Sequence, residues 1–169
     1  PPQEPVPEAV GITVHLTFAR RAYELAAWYR ARDARVVLGG LHVQSCPEEA
    51  APHADSISLG NGVESWPLAL RDVESGCLAP CYNGNYQTPF DGEPLPRRDL
   101  IDTASYLTIA SLIATRGCAN RCGFCYLSTS SLRLHYEMRD AGAVARELAS
   151  LEEPYGVFID NNLGSDREY

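Results

Sequence analysis

Short apolar runs ended by glycine, each followed by a helical repeat, set the strongest limit on what this chain can fold into. Val10-Gly-Ile-Thr-Val-His-Leu-Thr17 reads as a buried strand. Ala22, Leu25, Ala26 and Tyr29 then recur at helical spacing, which predicts an amphipathic helix over 19–32. Arg35-Val-Val-Leu38 gives a second strand ended by Gly39-Gly40, and Ser56-Ile-Ser-Leu59 a third, closed by Gly60-Asn61-Gly62. Pro47 before Glu48-Glu49 has the form of a helix start, because proline suits the first helical position and carboxylates suit the positive end of the dipole. Pro67 to Ser75 predicts another helix, stopped by Gly76. Strands alternating with helices at this pace imply parallel βαβ units, and hence an α/β fold of the flavodoxin or Rossmann kind.

Residues 82–98 break that rhythm. They are rich in Pro, Gly and Asn, lack periodicity, and read as a connection between domains. The expected organisation is a partial α/β domain over 1–82, a linker over 83–105 and a second domain over 106–169. In the last of these, Leu107-Thr-Ile-Ala-Ser-Leu-Ile-Ala114 is apolar enough for a buried strand. Ala143, Val144, Glu147, Leu148 and Leu151 fit a helix, and Val157-Phe-Ile159 fits the next parallel strand.

Composition excludes several classes. Of 169 residues, 45% are apolar and 21% charged, a globular profile. No run of eighteen apolar residues is present, so no membrane span is expected. The segment Pro1-Pro-Gln-Glu-Pro-Val-Pro-Glu8 has no basic stretch before an apolar one, so it is not a secretory signal, and a cytoplasmic location is expected. It also lacks an initiator Met, which suggests a chain cut from a longer one. A net charge of −8 repels a phosphate backbone. The short pairs Arg20-Arg21 and Arg97-Arg98 do not form a basic face, so nucleic acid is not an expected partner.

Six cysteines could suggest disulfides, but the spacing of three points to metal ligation. Cys118-Ala-Asn-Arg-Cys122-Gly-Phe-Cys125 lets one short loop wrap a cluster, with Gly117 and Gly123 relieving backbone crowding. Iron–sulfur clusters are held by thiolates, and three of them on a four-iron cluster leave one iron open. The alternatives are a zinc site and coincidence. Zinc usually takes four ligands, and the only further candidate downstream is His135. Cys46, Cys77 and Cys81 read as ordinary loop or half-buried cysteines, with a second cluster as the alternative.

This motif, with its aromatic before the last Cys, resembles the signature of the radical S-adenosylmethionine (SAM) superfamily. The resemblance runs from about Tyr106 to Tyr169. It implies that residues 106–169 are the first β/α units of a radical SAM barrel, with Cys118, Cys122 and Cys125 as ligands of a [4Fe-4S] cluster. It implies Phe124 near the adenine of SAM. Asp160-Asn161-Asn162 falls where the family often holds the SAM amino group. Over residues 9–82, Val36-Val-Leu-Gly-Gly-Leu-His-Val43, Pro47-Glu-Glu-Ala50, His53-Ala-Asp55 and Glu64-Ser-Trp-Pro67 resemble the cobalamin-binding domain that precedes many such barrels. That likeness implies cobalamin, with its nucleotide tail by Gly39 and Gly40. It adds the strand end Thr13-Val14-His15 to the site, while Gly60 joins it because parallel sheets bind ligands beyond the carboxyl ends of their strands. The Asp-x-His-x-x-Gly motif that supplies an axial ligand in some relatives is not in this sequence, and neither His15 nor His42 is a good substitute.

The resemblance implies a radical SAM enzyme that cleaves SAM reductively to a 5′-deoxyadenosyl radical and, with cobalamin, methylates, rearranges or cyclises an unactivated carbon. Its expected partners are a small-molecule or natural-product substrate and an electron donor such as flavodoxin or ferredoxin. The alternatives are a radical SAM enzyme without cobalamin, and a truncated module that holds a cluster but is inactive.

Overall fold

The computed structural model describes residues 5–128, 136–166, 168 and 169. His135, the remaining zinc-ligand candidate, lies outside them. The chain divides into two compact units, Pro1–Gln87 and Thr88–Tyr169.

The first unit is built on a four-stranded sheet, β1 (Ala9–Thr13), β2 (Arg35–Gly39), β3 (Ser56–Gly60) and β4 (Cys81–Gly84). Spatial order equals chain order, and each neighbouring pair is parallel. This is the α/β parallel sheet that the alternating pattern predicts. Val36, Val37 and Leu38 of β2 are all buried, which is why that strand reads as a continuous apolar run. Val36 and Leu38 pack with helix α1 (Ala19–Arg30), α2 (Leu41–Ser45) and α3 (Pro47–Ala50). Val37 packs on the other face with Ala69 and Trp66 of α4 (Gly62–Glu74). Helix α1 turns Ala19, Ala22, Ala26 and Tyr29 inward, so small side chains let it lie close to the sheet.

Three local differences from the sequence reading stand out. Strand β1 stops at Thr13, and Leu16–Phe18 form a 3-10 turn. Helix α4 starts at Gly62 rather than Pro67, because Asn61 caps it: its side chain accepts the Val63 N–H at 2.9 Å. Pro67 therefore lies inside the helix, while Gly76, at φ +71°, stands just past its end as expected. Strand β4 occupies the start of the stretch read as a connection; its Asn and Gly hide a pairing made through the backbone.

The second unit has strands β5 (Ser111–Leu112), β6 (Thr115–Arg116), β7 (Glu137–Met138) and β8 (Val157–Phe158), with helix α5 (Ala141–Ser150). β5 pairs with β8 in parallel, and β6 with β7 antiparallel. The single strand expected over 107–114 is thus a two-residue strand, and Leu107 is exposed. Ala110, Leu112 and Ala114 pack with Val144 of α5. One parallel β–α–β unit is present among the described residues of this second unit; a barrel is not shown. No helix among them is long and apolar enough to cross a membrane.

Candidate functional site

The first unit carries a cleft of about 520 Å³ at the carboxyl ends of β1, β2 and β3. Parallel sheets bind ligands there, because strand ends and following loops leave backbone groups exposed. Thr13, Gly39, Gly40 and Gly60 line it, as do Gly11 and Trp66, which sequence reading did not single out. Gly11 had a readable signal, a glycine inside a strand, which marks close approach. A Cβ there would stand 3.1 Å from the Trp66 ring. Gly40 adopts φ +96°, and a Cβ would lie 2.9 Å from the Thr13 Cγ2 and the Val14 carbonyl. Ser58 and Gln44 supply polar groups. His15 does not line the cleft; it is exposed, with Nδ1 2.9 Å from the Thr17 hydroxyl. His42 is buried on the side of α1 and α3, its Nε2 3.1 Å from the Tyr23 hydroxyl and 3.2 Å from Glu49.

The second unit carries the cysteine loop. It leaves β6 through Arg116, whose guanidinium donates to Glu93 at 2.5 Å and Glu137 at 2.7 Å. Gly117, at φ +78°, turns the chain into Cys118. Cys118 is half-buried, Cys122 exposed and Cys125 half-buried, and the Cys125 N–H donates to the Cys122 carbonyl at 3.0 Å. The three thiols share one loop, yet among the described residues no three metal-ligating side chains are gathered as a ligand set. Phe124 is 95% exposed.

The segment after β8 holds this loop. Asp160 Oδ1 accepts the Ala114 N–H at 3.0 Å, the Thr115 N–H, and the Thr115 hydroxyl at 2.8 Å. Its other oxygen is buried without a hydrogen-bond partner among the described residues. Asn161 Oδ1 accepts the Gly117 N–H at 3.2 Å, while its Nδ2 donates to the Tyr126 hydroxyl at 2.8 Å. Asn162 Nδ2 donates to the Cys118 sulfur at 3.4 Å, and the Ser165 hydroxyl lies 3.7 Å from it. The Asn162 amide, the Asn120 backbone N–H and the Ser165 hydroxyl hold the Cys118 thiol below its ordinary pKa. Donors to a thiolate favour its charged form, the form that binds metal. Asp160 and Asn161, read from sequence as cofactor contacts, thus spend these bonds on the loop itself.

Cys46, Cys77 and Cys81 belong to the first unit and are free. Burial pushes the Cys81 thiol up. The apolar cavity of about 370 Å³ beside Val144, Leu148 and Phe158 has no charged side chain in its lining to orient a ligand.

The chain is similar to the bacteriochlorophyllide d C-8(2)-methyltransferase of Chlorobaculum tepidum, 29% identical over 95% of this chain and 39% of that protein. It is also similar to the bacteriochlorophyllide d C-12(1)-methyltransferase of the same organism, 23% identical over 96% of this chain and 38% of that one. An uncharacterized methyltransferase of Synechocystis is 28% identical over 82% of this chain and 26% of its own length. These relatives are named as methyltransferases. The chain spans less than two fifths of the length of each. No family model matches it, and no solved structure matches it.

These findings correct the family assignment made from the motifs. The relatives carry methyltransferase names and no family model supports membership among cobalamin-binding radical SAM enzymes. The reductive cleavage of SAM to a deoxyadenosyl radical is withdrawn with it, as are the cobalamin step and the rearrangement or cyclisation. The physical reason is that a three-cysteine spacing and a Gly-Gly strand end are short local patterns that different chemistries can share.

Proposed function

We propose that this chain is part of an enzyme that transfers a methyl group from SAM to a carbon of a large planar ring, a bacteriochlorophyllide or a chemically similar macrocycle. The observation that carries this reading is similarity to two bacteriochlorophyllide methyltransferases along 95% and 96% of the chain. The sulfonium of SAM makes its methyl group transferable. Net transfer replaces a C–H bond by C–CH3 and leaves S-adenosylhomocysteine and a proton.

Two places in the chain support a division of labour. The strand-end cleft has glycine backbone at Gly39, Gly40 and Gly60 and an aromatic wall at Trp66, which suits a flat or nucleotide-tailed cofactor. Thr13 and Ser58 offer hydroxyls to orient it. In the second unit, Cys118, Cys122 and Cys125 would hold an iron–sulfur cluster. Their chemistry fits one: three thiols in one loop, with Cys118 already supplied with donors. Bound by these three thiolates, a cluster would offer an open iron to a ligand. The residues of the chain anchor the loop and orient the Cys118 sulfur, and Phe124 offers an exposed ring beside it.

The test uses the full-length protein, kept without oxygen, with bacteriochlorophyllide d and SAM carrying a deuterated methyl group. The expected product contains one deuterated methyl on carbon, located by mass spectrometry and NMR. Label found only on oxygen or nitrogen, or no label in the ring, would sink the reading.

A further inference from the structure

Three consecutive side chains after β8 reach three successive points of the cysteine loop. Asp160 takes the backbone at Ala114 and Thr115, Asn161 takes Gly117, and Asn162 takes the sulfur of Cys118. Asn161 also reaches Tyr126, the residue after Cys125, so this one side chain joins the entry and exit of the loop. The result is unequal: the sulfur of Cys118 is held from residues about 45 positions downstream, while Cys122 lies exposed.

We propose that Asn162 is a positioning residue for Cys118, and that its N–H···S bond persists when the loop carries its cluster. This rests on the iron–sulfur reading given under Proposed function. An amide donor withdraws negative charge from a ligating sulfur, and hydrogen bonds to the sulfurs are among the levers that set cluster potential. With the donor in place the reduced, more negative cluster is stabilised, so reduction is easier. Ser165, at 3.7 Å from the same sulfur, acts in the same direction from a longer distance. The side chain itself touches no reacting atom; it acts through Cys118.

The experiment uses the full-length protein reconstituted with iron and sulfide without oxygen. Its reduction midpoint is followed by EPR, with iron per chain measured on the same samples. Asn162→Leu removes the donor, Asn162→Asp removes it at constant shape and adds charge, and Ser165→Ala removes the second group. The expected result is a midpoint shifted to lower potential in all three, largest for Asn162→Asp and smallest for Ser165→Ala, at unchanged iron content. Wild-type potential in an iron-replete Asn162→Leu or Asn162→Asp protein would overturn the proposal. Should Asn162→Leu fail to hold iron, Asn162→Asp, which keeps the side-chain shape, decides by the same criterion. A wild-type protein that takes up no iron would instead overturn the cluster reading, and the proposal with it, so the two failures are told apart by the wild-type sample alone.

Discussion

The Arg98 guanidinium and the Glu147 carboxylate meet at 2.7 Å, with 8% and 3% of their side chains exposed. Arg139 donates to the other oxygen of Glu147 at 2.7 Å. Arg98 also donates to the carbonyls of Ile109 and Ser111, so one carboxylate ties helix α5 to the start of β5. Removing it leaves two largely buried guanidiniums without their shared partner. Glu147→Leu should lower stability by about 3–5 kcal/mol, the range for breaking a buried pair by removing one member. Urea unfolding measures it, and a loss within the error of the fit would show that the network is dispensable.

The same carboxylate sets a pH dependence. Burial pushes the Glu147 pKa up, but hydrogen bonds from Arg139 and Arg98 outweigh it, and the net value lies below 4.5. A folded pKa below the unfolded one gives stability that is complete above the unfolded value and lost as pH falls through the folded one. The urea midpoint of the wild type should therefore drop as pH falls below about 4.5. Glu147→Gln should lack that part of the slope. Parallel slopes for the two proteins would assign the acid sensitivity to other carboxylates.

Two glycines with positive φ separate strain from crowding. Gly76, at φ +71°, has open space where a Cβ would go; Gly40, at φ +96°, does not. Gly76→Ala should cost about 1–2 kcal/mol, the penalty of a left-handed residue. Gly40→Ala should cost more, because Thr13 and Val14 must also move, and it should reshape the cleft. Equal losses in thermal unfolding would mean that the β1 end yields freely.

The thiols should titrate apart. In metal-free protein, Cys118, held low by the Asn162 amide, should be alkylated at lower pH than Cys81, whose burial holds it high. Mass spectrometry of each modified peptide against pH reads the order directly. Asn162→Leu should move the Cys118 profile upward and leave Cys81 in place.

The parts of the molecule legible in the sequence are those fixed by local pattern. Val36-Val37-Leu38 reads as a strand because both faces are covered, and the Gly39-Gly40 pair reads as a close-approach turn because at Gly40 a Cβ would meet Thr13 and Val14 at 2.9 Å. Cys118, Cys122 and Cys125 stand out by spacing alone. β4 was hidden, since its residues Cys81 to Gly84 carry no apolar alternation and gain their place by pairing with β3. The apolar run from Leu107 to Ala114 promised one long strand. Its exposed end at Leu107 and its tie to Asp160 at Ala114 leave two residues in the ladder. The role of Asp160-Asn161-Asn162 could not be read locally, because its partners lie 35 to 46 residues earlier. Trp66 belongs to the cleft only because α4 covers the face of β1 that carries Gly11.

The tie between Asn162 and Cys118 has a consequence during synthesis. The ribosome adds about 5–20 residues per second, so a gap of 44 residues leaves the cysteine loop without its clamp for roughly 2–9 s. Through that interval the Cys118 thiol meets the cell without its Asn162 and Ser165 donors. Premature oxidation or capture of a stray metal ion belongs to this window, and synonymous codons that slow translation between Cys125 and Asp160 would lengthen it.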